Sequence, residues 1–221
     1  MTQYWPFSGL TRQNALRERL IVSLDLRDRG DALRLVDRLA RVVGMFKVGR
    51  ALFVGGGPDF IREIRRSGAE VFLDLKFHDS PQKVLRAAVE ATRLGVKMFD
   101  IHPYGSNCGS TEMMTRTRAE VARICRTEGL RRPSILAVAT LADTKSANSS
   151  LRAPGTPGRV TEIARFAADA IRACADYVVI GSPIWRAAEP LRAVREITDD
   201  IERGLRNSPR RTFEILNPRP V

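Results

Sequence analysis

Apolar residues along this chain fall into short continuous runs, separated by stretches in which they recur every three or four positions. The runs read as buried strands and the spaced stretches as amphipathic helices. Leu20 to Asp25 is the first expected strand. Asp31 to Val42 follows with helical spacing, its apolar face carried by Leu33, Leu35, Val36 and Leu39. Met45 to Gly49 is the second strand. Gly55-Gly56-Gly57 reads as a turn, and Pro58 opens a helix to Arg66. Glu70 to Leu75 is strand three, Pro81 to Leu94 a helix, and Met98 to His102 strand four. Cys108 to Glu128 contains a further helix, and Ser134 to Thr140 is strand five. This alternation predicts a parallel sheet with helical crossovers.

The pattern then breaks. Ala142 to Gly158 is rich in Ser, Asn, Pro, Gly and Thr and reads as a long loop leaving the end of strand five. Loops of that length within a compact domain are usually functional or mobile. Beyond it, Val160 to Ala173 is an expected helix, Tyr177 to Gly181 a strand and Glu189 to Leu205 a helix. Thr212 to Leu216 is one weak strand candidate in the tail. No internal repeat stands out. The expectation is one domain over residues 1–221, with an amino-terminal arm at 1–18 and a tail at 206–221.

Composition narrows the class. Hydrophobic content of 43% and charge of 28% suit a soluble globular protein with a real core. No apolar run approaches a membrane span, and no signal peptide is visible. Cys108, Cys125 and Cys174 lack metal spacing and cannot all pair, so reduced thiols in a cytoplasm are expected. The two histidines argue against a histidine-rich metal centre, and no metal is expected. A net charge of +12 raises nucleic-acid binding. The arginines, however, are interleaved with acids, as in Arg62-Glu63-Ile64-Arg65-Arg66, and aromatics are only 6%, so stacking surfaces are few. No nucleic acid and no membrane are expected as partners. A phosphorylated anion would be drawn to the same field.

Candidate chemistry concentrates in Val71-Phe72-Leu73-Asp74-Leu75-Lys76-Phe77-His78-Asp79-Ser80-Pro81. In a strand, alternate side chains share a face, so Asp74 and Lys76 would project together. Asp79 follows in the turn before a proline-led helix. Such a group at the carboxyl end of a strand is where barrel enzymes keep their chemistry. A solvated Asp–Lys ion pair is the plain alternative. The apolar run before the pair and the helix start after it favour a site. Asp25 and Lys47 occupy the ends of the two preceding strands. Asp25 could instead cap the helix after it, and Lys47 could serve in a structural ion pair.

Asp74-Leu75-Lys76-Phe77-His78-Asp79, followed by Ser80-Pro81, resembles the signature of the orotidine 5'-phosphate decarboxylase family. The wider superfamily of sugar-phosphate aldolases and decarboxylases shares D-x-K-x-x-D, and Phe77-His78 favours the orotidine branch. The resemblance implies a TIM-type (β/α) barrel of the ribulose-phosphate-binding kind. It implies cofactor-free decarboxylation of orotidine 5'-phosphate to uridine 5'-phosphate in pyrimidine biosynthesis. The alternatives are a related sugar-phosphate lyase or decarboxylase, and a non-catalytic paralogue that binds a phosphorylated ligand.

Carried over residue by residue, Asp25 and Lys47 would touch ribose hydroxyls. Asp74 would sit beside the departing carboxylate, and Lys76 would deliver the proton. Asp79 would reach the neighbouring subunit's site, which implies a homodimer. His78 is expected to face outwards or pack. His102 resembles a position that lines the barrel.

Departures from the family pattern are equally plain. Six clear strands and one weak one fall short of eight, so one or two strand-helix units are missing. Ser80 and Lys83 stand where isoleucine and threonine are usual. Ala139, Ala142 and Asp143 occupy pyrimidine-contacting places. Gly181-Ser182 replaces a Gly-Arg that grips phosphate, leaving Arg152, Arg159 or Arg186 to supply that charge.

Overall fold

The computed structural model describes residues 12–102, 110–138, 167–169, 171 and 175–206. The expected loop Ala142–Gly158, with Arg152 and Arg159, lies outside the described residues, as do Ala139, Cys108, Cys174 and the tail strand Thr212–Leu216. The elements in chain order are α1 (Arg12–Arg19), β1 (Leu20–Ser23), α2 (Arg29–Leu39), β2 (Met45–Gly49), α3 (Arg50–Arg66), β3 (Glu70–Phe77) and α4 (Pro81–Arg93). They continue with β4 (Met98–Ile101), α5 (Ser110–Glu128), β5 (Ser134–Ala137), β6 (Val178–Ile180), α6 (Ser182–Trp185) and α7 (Pro190–Arg206). The chain divides into two compact units.

One unit contains residues 24–34 and 46–138. Its strands lie in the order β5-β4-β3-β2, and β4 runs parallel to both β3 and β5. Strands buried on both faces read as continuous apolar runs, and Met98–Ile101 is buried at every position. Phe46, Phe60, Ile64, Leu73 and Phe99 form the centre of this core, each fully buried. α3 packs on β3, and α4 packs on α5 and on β3 and β4.

Two local features depart from the expected pattern. α3 begins at Arg50, eight residues before Pro58, and only Gly57 leaves helical geometry, with φ 60° and ψ −166°. Glycine enters that region without a Cβ clash, and Pro58 restarts the helix because its missing N–H needs no partner at a first turn. The Gly55–Gly57 turn is therefore a one-residue kink within a helix. Further on, β3 continues through Phe77 rather than ending at Leu75. Its register to β4 pairs Leu73 with Phe99 and Phe77 with Ile101, so Asp74, Leu75 and Lys76 face the single residue Asp100. This is a β-bulge, a device that bends a strand and re-aims its side chains.

The second unit contains residues 12–23, 35–45 and the described residues after 166. Here β1 pairs in parallel with β6, Leu20 opposite Val178 and Val22 opposite Ile180. α7 packs on α1 and α6 and buries Val194, Ile197 and Ile201. Arg17 closes the end of α2: its Nε donates to Val43 O at 2.9 Å and its Nη2 to Ala40 O at 2.7 Å. These carbonyls follow the last helical turn, where a cation is favourable. A Cβ on Gly204 of α7 would lie 2.5 Å from Ala168 O, so the chain approaches there at a distance only glycine permits. α1 occupies the end of the expected amino-terminal arm.

Candidate active site

Each charged side chain expected from strands one to three is brought to one place, within the unit that holds β2 to β5. Asp25 follows β1, Lys47 lies in β2, and Asp74 and Lys76 lie in the β3 bulge. Leu24 N–H donates to Lys47 O at 2.9 Å, which ties the Asp25 segment to β2. Lys47 Nζ lies 2.8 Å from Asp74 Oδ2 and 3.9 Å from Asp25 Oδ1. Lys76 Nζ lies 2.7 Å from Asp74 Oδ1. Asp74 is thus the hinge of the cluster, one carboxylate between two ammonium groups.

The side chain of Asp74 is only 11% exposed, against 44% for Lys76 and 60% for Asp25. Burial alone would push the Asp74 carboxyl up. The hydrogen bonds and charges of Lys47 and Lys76 outweigh it and hold its pKa at about 2. Asp74 is therefore a permanent anion at neutral pH. The gradient of exposure places the fixed charge inside and presents Lys76 to solvent.

Alternation along a regular strand is not what brings Asp74 and Lys76 together. Lys76 has φ 54° and is the one non-glycine residue with positive φ among the described residues. The bulge and this left-handed residue turn the chain so that the lysine bends back onto Asp74. The sequence expectation was right about the pair and incomplete about its backbone.

Asp100 went unrecognised in the sequence. It is fully buried in β4, and its Oδ1 accepts the Lys76 backbone N–H at 2.9 Å. Its Oδ2 stands 3.8 Å from Lys76 Nζ. Burial pushes its pKa up and the Asp74 carboxylate pushes the same way, against the pull of the Lys76 N–H. The available signal was a lone aspartate in the otherwise apolar run Met98-Phe99-Asp100-Ile101.

The residue seen to cap α2 is Asp28, its Oδ1 accepting Asp31 N–H at 2.9 Å. Asp79 lies in the turn before α4, half exposed, with Oδ1 2.6 Å from Ser80 N. That bond and Lys83 one helical turn on hold its carboxyl below the usual range. His78 is exposed and its ring lies 5.9 Å from that of His102. Gly181 and Ser182 belong to the second unit, where Gly181 precedes the four-residue α6. Arg186 stacks its guanidinium over the Trp185 ring at 4.7 Å. A shallow groove between α4 and α5, lined by Leu85, Val89 and Ile124, carries none of these residues. Its charges pair locally, as in Arg93 with Glu90 and Glu128.

Parallel strands alternating with helices, with acids and lysines gathered on successive strands, define a (β/α)-barrel type of enzyme. The chain belongs to the orotidine 5'-phosphate decarboxylase / HUMPS family, whose model matches residues 18–149. It is 34% identical to an orotidine 5'-phosphate decarboxylase of Geobacter sulfurreducens, over 88% of this chain and 100% of that one. A homologue of the same name from Syntrophotalea carbinolica is 43% identical over 66% of this chain and 58% of its own.

Among solved structures, an orotidine 5'-phosphate decarboxylase from Lactobacillus acidophilus shares the fold, with TM-score 0.63 and 23% identity over 82% of this chain and 98% of that one. An uncharacterized conserved protein from Geobacillus kaustophilus does so with TM-score 0.64 and 24% identity, over 82% and 99%.

The Geobacter alignment spans 244 positions and takes in 88% of 221 residues, about 194, so about fifty positions have no counterpart here. A barrel of ~250 residues spends ~30 on each strand-helix unit, so the deficit matches the one or two units expected to be missing.

Proposed function

We propose that this protein decarboxylates orotidine 5'-phosphate to uridine 5'-phosphate without a cofactor, as a homodimer. The observation that carries the reading is the contact of Lys47 and Lys76 with opposite oxygens of Asp74. Family membership and the names of its relatives point the same way.

The chemistry follows from the charges. The substrate's carboxylate is placed beside Asp74, a permanent anion, and opposite Lys76. When the carbon–carbon bond breaks, carbon dioxide leaves and the electron pair stays on the ring carbon. The Lys76 ammonium stabilises that developing charge and then donates its proton to it. Lys76 regains a proton from solvent, to which it is partly open. Asp25 and Lys47 bind the ribose hydroxyls, and Lys47 holds Asp74 in place throughout. Asp79 completes the site of the neighbouring subunit. Either Arg152 or Arg159 supplies the charge for the phosphate, with backbone N–H groups of Gly181 and Ser182.

The test is the loss of orotidine 5'-phosphate absorbance with purified protein. A loss of turnover by about a thousandfold or more in Lys76→Ala is the expected result. Uridine 5'-phosphate binding without turnover would replace the reading with that of a non-catalytic paralogue. Turnover of a sugar phosphate in its place would assign the lyase alternative.

A further inference from the structure

We infer that Asp100 is a positioning residue for Lys76: its buried carboxylate accepts the lysine's backbone N–H and so holds the left-handed turn that aims the ammonium at Asp74. Opposite the bulge, three residues of β3 face one of β4, so the strand ladder offers Lys76 no regular partner. An L-residue with a long side chain rarely adopts φ 54°, and such a conformation persists where its surroundings over-determine it. Asp100 supplies that determination. It is fully buried, its Oδ1 receives the Lys76 N–H at 2.9 Å, and its Oδ2 flanks the same residue's Nζ at 3.8 Å. Its Oδ1 thus holds the Lys76 backbone, while its Oδ2 lies towards the same residue's ammonium.

Phe77, the next residue, rejoins the ladder by accepting the His102 N–H at 2.9 Å. The left-handed turn is therefore confined between Leu73 and Phe77. Removing the acceptor would take the partner from a part-buried N–H and let the turn relax. A proton donor displaced by about an ångström costs on the order of a hundredfold in rate. The acceptor oxygen is what matters, so the asparagine amide, which keeps it, should hold the turn where alanine cannot.

The kinetic part of this inference rests on the decarboxylase reading. The experiment compares the parent with Asp100→Ala and Asp100→Asn for kcat, KM, uridine 5'-phosphate affinity and the exchange rate of the Lys76 amide proton. Alanine is expected to lower kcat about a hundredfold, leave product affinity within about twofold, and speed amide exchange. Asparagine is expected to recover most of the rate and the protection. Should the alanine variant not fold, Asp100→Ser, whose oxygen falls short of the N–H, takes its place with the same expectation.

The inference is overturned if asparagine is as slow as alanine, if alanine keeps the parent's kcat, or if kcat and product affinity fall together. A parent without turnover or product binding removes the decarboxylase reading instead. Amide exchange then decides alone: faster in alanine and not in asparagine supports the positioning role, and unchanged exchange overturns it.

Discussion

Lys47 and Lys76 do not compete for Asp74; each takes a different oxygen, Oδ2 at 2.8 Å and Oδ1 at 2.7 Å. Both ammonium groups keep donors free of this carboxylate, and the anion is held from two sides. The arrangement separates a fixed charge from a proton source.

Lys76→Ala should remove the proton donor and lower kcat by about a thousandfold or more, the upper range for general acid catalysis with loss of charge stabilisation. Affinity for uridine 5'-phosphate should change by severalfold at most. Absorbance kinetics and calorimetric binding on one preparation check both numbers.

Asp74 links the site to acid stability. Its folded pKa of about 2 lies below its unfolded value of 3.8. Unfolding therefore takes up a proton between these values, and the Asp74 contribution, present above about pH 4, is lost as pH falls towards 2. The shift corresponds to on the order of 2 kcal/mol, an upper figure for a group tied to two neighbours. Asp74→Asn should remove this pH dependence, seen as a shallower fall in Tm between pH 4 and 2. Asp100 works in the opposite sense, since its pKa is raised. Its contribution is present at low pH and lost as pH rises above the ordinary carboxylate value. Asp100→Asn should therefore remove a gain in Tm as pH falls towards 4 and leave the fall between pH 4 and 2 as it is in the parent.

Lys47→Met should cost about 1–3 kcal/mol in urea unfolding, less than for a fully buried pair because solvent reaches the cluster through Lys76. It should also raise KM by weakening the ribose contact.

Mixing tests the shared site. Asp79→Ala and Lys76→Ala should each be inactive alone. An equal mixture, after subunit exchange, should regain roughly a quarter of parent activity, because half the dimers are mixed and each carries one intact site. No recovery in a mixture shown to exchange would remove Asp79 from the partner's site.

Phosphate grip is tested by Arg152→Ala with Arg159→Ala. Loss of several kcal/mol in uridine 5'-phosphate affinity is expected if these guanidinium groups carry the phosphate. Equal affinity in parent and double variant would assign that grip elsewhere.

Local chemistry explains what could be read in advance. Met45–Gly49 was legible as a strand because a short apolar run there lies between Gly44 and Gly49. Pro81 marked the start of α4 because proline suits a first turn. The Arg50–Gly56 helix was hidden by three glycines, of which only Gly57 uses its conformational freedom. The convergence of Asp25, Lys47, Asp74 and Lys76 was visible from strand ends. Asp100 was not, since a buried acid in an apolar strand shows its purpose only when the opposing strand bulges. Register is a property of two strands, and one strand's pattern does not contain it.

The excess residues in β3 act as an expansion joint. Phe72 and Leu73 before it, and Phe77 after it, keep their pairing with β4. Changes of size or charge at positions 74–76 can thus be absorbed where they arise, without sliding the neighbouring rungs. The strand can thus bend a charged pair out of the ladder while the wall that carries it stays in step.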